Sequence, residues 1–257
     1  MEDSFALFLV VGFLAQIVDG ALGMAYGVVS ASVLLAFGVP PAAASAAVHA
    51  AEVFTTAASA GSHVVHRNVD WRLFRVLVPA GVVGGVTGAY VLTSIDGDVL
   101  KPYVAAYLGV MGIYILVRAW RSLTPIDSHH SGVVIGLGGF GGFADAVGGG
   151  GWGPVVTTGL IGNGGAPRQT IGTVNTAEFF LTTAVSLSFL TALLTGHWEE
   201  AEGLRAHGAA VAGLVVGGLI AAPMAGYVVR LVPHRRLMAM VGVLICAIAV
   251  YQTGRLL

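Results

Sequence analysis

Four acidic residues interrupt the apolar segments of this sequence and are the first candidates for chemistry. Every other acid lies in a loop or near a chain end, whereas these four lie inside apolar runs: Asp19, Glu52, Asp145 and Glu178. An ionisable group inside a bilayer costs about 2.5–3.5 kcal/mol on insertion scales. We therefore expect these acids either to line a pathway for protons or a coupling cation, or to cap broken helices. We favour the cap for the aspartates and the pathway for the glutamates.

Other polar side chains accompany the two glutamates. His49 precedes Glu52 by three residues and Asn175 precedes Glu178 by three, which places each pair on one helix face. His49 either takes part in proton movement or anion binding, or is a hydrogen-bonded packing residue. Weaker pathway candidates, because such side chains in apolar helices commonly bond a neighbouring helix, are Gln16, Gln169, Thr173 and Thr176.

Two glycine-rich stretches offer a second kind of site. Residues 148–154 are Gly-Gly-Gly-Gly-Trp-Gly-Pro, and residues 20–27 are their counterpart. Helix starts in such stretches present free backbone N–H groups, which bind anions without a cationic side chain; the alternative is close helix packing. No Gly-Lys-Ser/Thr follows, so a nucleotide phosphate loop is unsupported. The pathway candidates in these stretches are Gly23, Tyr26, Gly149 and Trp152.

Basic and metal-binding side chains are few near these stretches. Arg168 is the only basic residue near the second stretch, and it either attracts an anion or anchors a helix end at the interface. His63 and His66 lack further ligands at a suitable spacing for a metal. His129 and His130 lie in the central linker, and we interpret both pairs as interfacial residues. We predict no metal site and no cofactor.

The composition predicts that an all-α, multi-pass membrane fold positions these residues. The chain has 257 residues, of which 56% are hydrophobic and 10% charged, and its mean hydropathy is +0.86. Apolar stretches recur from Phe5 to Leu256. We therefore expect the lipid bilayer to take up the whole chain, without a separate soluble domain. A net charge of −1 predicts no nucleic-acid partner. The acidic start, Glu2-Asp3, is unlike a secretory signal, so we expect the first segment to be retained.

The two halves of the chain are related by an internal repeat. Asp19 and Tyr26, with the glycines between them, recur 126 residues later as Asp145 and Trp152. The same offset relates further pairs, Pro41 with Pro167 and Glu52 with Glu178. A series of this kind does not arise readily by chance, so we predict two related repeats, 1–125 and 126–257.

Each repeat is predicted to contain a broken helix pair followed by three helices. A helix needs about 20 residues to span a bilayer, and the first segment of each repeat is too long for one straight helix. The first repeat comprises the pair 4–37 and the helices 41–66, 73–95 and 99–120. The second comprises the pair 132–162 and the helices 167–195, 206–229 and 234–255. Breaks at membrane depth are tolerated only where protein or a water-filled cavity surrounds them.

Loop charges predict that the two repeats have opposite orientations. Loops 67–75, 118–130 and 230–236 are basic and predicted to be cytoplasmic, whereas the N-terminus and loops 96–98 and 199–205 are acidic and predicted to be external. Equivalent loops in the two repeats therefore carry opposite charge. Each repeat then needs an odd number of crossings, with the broken pair either re-entrant or crossing twice. Inverted repeats with broken helices at their interface are typical of secondary transporters.

Several motifs resemble those of a known family. They are F-L-A-Q-I-V-D-G-A-L-G-M-A-Y-G at 13–27, P-P-A-A-A-S-A at 40–46 before His49 and Glu52, and G-G-G-G-W-G-P at 148–154 with T-V-N-T-A-E at 173–178. Together they resemble the TauE/SafE family of sulfite and organosulfonate exporters, over nearly the entire chain and both repeats. The resemblance implies a bacterial or archaeal inner-membrane permease that moves small sulfur oxyanions outward.

These expectations combine into one hypothesis, secondary transport of a small anion by alternating access at the repeat interface. An inside-negative membrane favours export of an anion by roughly 2.3 kcal/mol per charge per 100 mV. Carboxylates beside an anion pathway repel the anion, so proton or sodium coupling, or carriage of another small solute or cation, stays an alternative. An intramembrane enzyme is disfavoured because Cys246 has no partner histidine at matching depth. Abundant small residues are compatible with a homodimer.

Overall fold

A computed structural model of the chain describes residues 2–22, 24–120, 131–163, 165–198, 208–231 and 234–256. Within these ranges the fold is entirely helical, and no strand is present. The first half contains α1 (Glu2–Leu22), α2 (Tyr26–Ala36), α3 (Pro41–Val65), α4 (Trp71–Ser94) and α5 (Gly97–Trp120). The all-α prediction is therefore confirmed. Three residues named above, Gly23, His129 and His130, lie outside the described ranges.

The second half repeats this order of elements. It contains α6 (Ser131–Gly148), a π-helical turn (Gly153–Thr157) that continues into α7 (Thr158–Gly162), α8 (Pro167–Leu194), α9 (Gly208–Leu231) and α10 (His234–Leu256). The apolar segments 4–37 and 132–162 each contain a longer and a shorter helical piece, separated at the glycine-rich stretches. In each half a long helix, a short helix and three further helices follow one another.

Local sequence signals explain several helix ends. Pro41 and Pro167 stand at the first positions of α3 and α8, where the missing N–H costs no hydrogen bond. The Asp70 side chain accepts hydrogen bonds from the first backbone N–H groups of α4. Beyond α2, Gly38 adopts a φ of +85°, a left-handed conformation that glycine adopts without steric cost.

The length and apolarity of the helices fit a bilayer. Among the described residues, four helices are long and apolar enough to cross a membrane, and they lie at Trp71–Ser94, Gly97–Trp120, Ser131–Gly148 and Arg168–Leu194. Large apolar side chains such as Val83, Val110 and Val250 point outward and are exposed. Such a surface is stable against lipid tails but not against water. The structure is that of a polytopic membrane protein.

The main helix contacts join one half of the chain to the other. The long first helix of each half packs along the fourth helix of the other half, α1 on α9 and α6 on α4. The third helices of the two halves, α3 and α8, pack on each other, and so do the last helices, α5 and α10. The centre of the molecule is therefore built by contacts between the halves.

The two central helices cross in opposite directions. Thr56 of α3 and Thr182 of α8, which are 126 residues apart, approach with their hydroxyl oxygens 3.5 Å from each other. On one side of this point His49 contacts Phe189, and on the other His63 contacts Asn175. Equivalent helices that meet antiparallel are compatible with opposite orientations of the two repeats, which stay a prediction.

Candidate functional site

A small cavity lies where the two helix breaks meet. It has room for about one water molecule. The cavity is lined from both halves by the four acids and the glycine-rich stretches, namely Asp19, Ala25, Gly27, Val28, Glu52, Asp145, Gly150, Gly151, Gly153, Pro154 and Glu178. The structure thus brings together all four acids that the sequence singles out. We call this space the four-acid cavity.

The two breaks touch each other through glycines. A Cβ atom on Gly27 would lie 2.5 Å from the carbonyl oxygen of Gly149 and 2.9 Å from Glu52 Oε1. A Cβ atom on Gly150 would overlap the backbone nitrogen of Val28. Gly149 itself has a φ of +67°, a conformation that favours glycine. Close packing and special backbone geometry both explain the glycines here.

We expect Gly150→Ala to destabilise the folded protein by about 1–3 kcal/mol or more, because the added methyl group collides with rigid backbone. Gly132→Ala is the matched control, since a Cβ atom on Gly132 of α6 meets no atom within 4 Å. Alanine favours a helix over glycine, so this control should leave stability unchanged or slightly raised. Thermal unfolding of both variants in detergent tests the difference. Equal stability of the two variants would contradict the close approach of the breaks.

Asp145 bridges the break in the second half. Its Oδ1 accepts hydrogen bonds from the backbone N–H groups of Gly151 at 2.7 Å and Trp152 at 2.9 Å. In the first half, Asp19 Oδ1 accepts a hydrogen bond from the N–H of Tyr26 at 3.3 Å. Both aspartates therefore have the geometry of helix caps. At the second break, the Asp145 carboxylate therefore already accepts hydrogen bonds from backbone N–H groups that we had considered for binding an anion.

His49 joins this cap to the centre of α3. Its Nδ1 lies 2.8 Å from the carbonyl oxygen of Ser45, and its Nε2 lies 3.1 Å from Asp145 Oδ2. A carbonyl oxygen and a carboxylate oxygen both accept hydrogen bonds, so each contact needs a proton between its two atoms. A neutral imidazole supplies only one of these protons. One further proton, on His49 or on Asp145, would complete both contacts within this buried pair.

Glu52 combines deep burial with a carboxyl oxygen that lacks a hydrogen-bond partner. It is 4% exposed, and its Oε2 has no hydrogen-bond partner among the described residues. The hydroxyl of Thr56, one turn along α3, bonds to the Glu52 backbone carbonyl and not to the carboxyl. An ionised carboxylate in such a place is costly unless a cation or a proton joins it. Glu178, at the equivalent position of α8, is half-buried.

The cavity groups fit a proton better than a preformed metal site. One ligand atom from each of His49, Glu52 and Asp145 lies within 4.8 Å of the others. The Asp145 oxygens already accept two backbone hydrogen bonds and the contact from His49. A metal ion would have to displace at least the contact between His49 and Asp145. Proton exchange needs no such rearrangement, because the same hydrogen bonds carry the proton.

The two aromatic candidates anchor the breaks. Trp152 is fully buried, and its indole N–H donates to the carbonyl oxygen of Val174 in α8 at 3.1 Å. The hydroxyl of Tyr26 donates to the carbonyl oxygen of Leu214 in α9 at 3.0 Å. Neither aromatic side chain lines the four-acid cavity.

Gln16, another candidate, is 4% exposed, and its Oε1 has no hydrogen-bond partner among the described residues.

The remaining candidates lie along α8 at increasing distance from the cavity. Asn175 is 8% exposed and contacts His63, and the Thr176 hydroxyl bonds to the carbonyl of its own helix at Gly172. Thr173 accepts a hydrogen bond from the backbone N–H of Asp70. Gln169 and Arg168 are exposed at the end of α8. The structure therefore does not bring Arg168 together with the cavity.

Two residues at the second break were not among the sequence candidates. The Ser45 hydroxyl donates to the carbonyl oxygen of Ala146 at 2.5 Å, and the Tyr107 hydroxyl of α5 donates to that of Gly150 at 2.9 Å. Ser45 precedes His49 by one helical turn, a spacing that could have pointed to it. No local pattern marks Tyr107, because its role depends on the packing of α5 against the other half.

Comparison with known proteins identifies the family. The family model described as sulfite exporter TauE/SafE matches residues 8–252. A relative from Bacillus subtilis (strain 168), the probable membrane transporter protein YtnM, is 45% identical over 230 residues, which cover 87% of this chain and 74% of the relative. No solved structure matches the chain. The chain therefore belongs to the TauE/SafE family and is a membrane transporter of that type.

Proposed function

We propose that this protein exports a small sulfur oxyanion, sulfite or a short organosulfonate, by alternating access, with proton binding at the four-acid cavity as part of the cycle. The observation that carries the proposal is the convergence of both helix breaks and all four acids on one cavity. Transport rather than catalysis also fits the family description, which names sulfite export. We place the protein in the cytoplasmic (inner) membrane with the N-terminus outside, on the basis of the loop charges.

The acids and the anion are linked by charge. An anion is repelled by ionised carboxylates in a water-poor site, and the repulsion disappears when they are protonated. Proton binding at Glu52, Glu178 and the His49–Asp145 pair therefore favours anion binding, and proton release favours anion release. By linkage the anion must favour proton binding to the same extent. The antiparallel contact of α3 and α8 supports a cycle in which the two repeats exchange roles at this cavity.

Flux of labelled sulfite in proteoliposomes tests this function. We expect sulfite movement that depends on the protein and whose rate changes when a pH gradient is imposed. Protein-free liposomes give the background flux. Absence of sulfite flux under every gradient would refute the substrate assignment. Flux that responds to neither a proton nor a sodium gradient would refute the coupling alone.

A second candidate is a proton- or sodium-coupled carrier of another small solute or of a cation. The acid-rich lining of the cavity and the unpartnered Glu52 Oε2 favour it. Binding measurements separate the two candidates. Loss of solute or cation binding in both Glu52→Gln and Glu178→Gln, without any sulfite flux in the unmodified protein, would select this second function.

A further inference from the structure

Hydrogen-bond donors from four side chains meet near the start of α8. Arg168, whose side chain is exposed, donates from Nε to Asn68 Oδ1 at 2.6 Å and from Nη2 to the carbonyl oxygen of His66 at 3.3 Å. Asn68 Nδ2 lies 3.2 Å from His63 Nδ1. Asn175 Nδ2 lies 3.4 Å from the other ring nitrogen, His63 Nε2. We call Arg168, Asn68, His63 and Asn175 the donor cluster.

The donor cluster offers more hydrogen-bond donors than acceptors. A guanidinium carries five N–H donors and no acceptor, and in the described structure Arg168 uses two of its nitrogens, towards Asn68 and His66. Each amide NH2 group carries two further donors, and the side-chain oxygen of Asn68 is already bonded to Arg168. A small oxyanion supplies several acceptor oxygens together with a negative charge. These are the groups that best complement such a set of side chains.

The charges around the donor cluster also favour an anion. Arg168 is charged at every physiological pH, and it lies in the first turn of α8, where a helix carries partial positive charge. The adjacent loop and the start of α4 add Arg67, Arg72 and Arg75. The acid of this loop, Asp70, accepts hydrogen bonds through Oδ1 from the first backbone N–H groups of α4. Positive charge therefore predominates on this part of the surface.

The opposite end of the same helix pair lacks these donors. The 126-residue offset makes Ala42 equivalent to Arg168, and Phe189 equivalent to His63. Ala42 and Phe189 are both 3% exposed and belong to the apolar core. Packing of α3 against α8 is thus achieved at that end with apolar side chains. Helix packing alone therefore does not explain why donors collect at the start of α8.

We propose that Arg168, Asn68 and His63 form a capture site for a small oxyanion, separate from the four-acid cavity and on the membrane side from which the substrate is exported. The inference rests on the proposed function for the direction of transport and deepens it. Loop charges predict that this side is cytoplasmic, because Arg168 contacts His66 and Asn68 beside the basic loop 67–75. Asn175, which is 8% exposed, contacts His63 from α8 and positions its ring.

A capture site of this kind compensates for the acidic lining of the cavity. Ionised carboxylates lower the local concentration of an anion, whereas a basic surface site raises it. The same groups repel a cation, so the site selects by charge before the cavity is reached. A phospholipid phosphate offers similar acceptor oxygens at a membrane interface, and the experiment below distinguishes it from a dissolved oxyanion.

Equilibrium binding of labelled sulfite to the full-length protein tests the site without transport. In this conformation the four-acid cavity has room for about one water molecule, so the measurement in a phosphate-free detergent reports on the surface site. We expect Arg168→Gln to weaken binding about 10–100-fold, because it removes the charge and the donors. Arg75→Gln is the matched control, since Arg75 is exposed and bonds only to its own helix at Trp71 in the described structure. It should bind like the unmodified protein.

A second variant keeps the test open if Arg168→Gln does not fold. His63→Phe copies the residue at the equivalent position of the other half, and we expect it to weaken binding about 10-fold. Thermal unfolding without sulfite shows which variants are folded. Unchanged sulfite binding in folded Arg168→Gln or in folded His63→Phe would overturn the inference, and so would the absence of sulfite binding to the unmodified protein.

Phosphatidylcholine nanodiscs test the lipid as the occupant, because they present phosphate groups without net surface charge. We expect the unmodified protein to bind sulfite in them as it does in detergent. Loss of binding in the nanodiscs would assign the donor cluster to a lipid phosphate and overturn the capture site. Sulfite flux is measured separately. Binding that depends on Arg168 without any flux would refute export alone, whereas flux with binding independent of Arg168 would refute the capture site alone.

Discussion

Asp145→Ala is expected to lower the free energy of unfolding by about 3–5 kcal/mol. The substitution removes the acceptor of the Gly151 and Trp152 N–H groups and also the partner of His49. Two buried backbone donors and the Nε2 of a buried imidazole would lose their partner, and groups of this kind are expensive in a low-dielectric interior. Chemical or thermal unfolding in detergent, followed by tryptophan fluorescence, measures the loss, since Trp152 lies at this break.

Two variants identify the cause of the loss. Asp145→Asn keeps an acceptor for the backbone donors and removes the charge, so it should retain part of the stability that alanine loses. Asp19→Ala makes the same change in the first half, where the side chain is half-buried and accepts the Tyr26 N–H at 3.3 Å. We expect a smaller loss there, about 1 kcal/mol. Equal losses for Asp145→Ala and Asp19→Ala would contradict the special role of the His49 pair.

The sequence allowed the acids and the breaks to be found because both violate a strong rule. A carboxyl group in an apolar segment is costly, and glycine clusters weaken a helix, so each stands out against the rest of the chain. The 126-residue offset then showed that each irregularity occurs twice. The all-α fold could therefore be predicted without coordinates.

The contacts between the halves could not be predicted in this way. The offset makes Asp19 and Asp145 equivalent positions, but it does not indicate which side chains touch. Asp145 contacts the side chain of His49, from the other half. Whether Arg168 faced the cavity or the surface depended on the packing of the loop after α3, where Asn68 binds it. Such pairings are set by tertiary packing rather than by spacing along one helix.

The geometry also reduces the number of carboxyl groups in the cavity that would repel an anionic substrate without compensation. At Asp145 the carboxyl is compensated by two backbone N–H groups and by the contact with His49. Asp19 has a backbone donor as well. The charge that an anion would meet without compensation is therefore that of the glutamates, and above all Glu52, whose Oε2 lacks a partner among the described residues.

Glu52→Gln is accordingly expected to abolish the response of sulfite transport to a pH gradient. Glutamine has nearly the shape of glutamate but binds no proton, so the cavity loses its proton site while the packing against Gly27 is kept. We expect the gradient-driven component of the flux to fall about 100-fold. Initial rates in proteoliposomes, with and without the gradient, measure it.

Asp98→Asn makes the same chemical change at a surface acid and serves as the control. Asp98 lies at the start of α5, exposed and bonded to Lys101, so its loss should leave the pH response intact. Because Glu178 lines the same cavity from the other half, Glu178→Gln should weaken the response as well. Retention of the full gradient-driven flux in Glu52→Gln would show that protons act elsewhere. Loss of the response in both Glu52→Gln and Asp98→Asn would point to a general effect of removing charge rather than to the cavity.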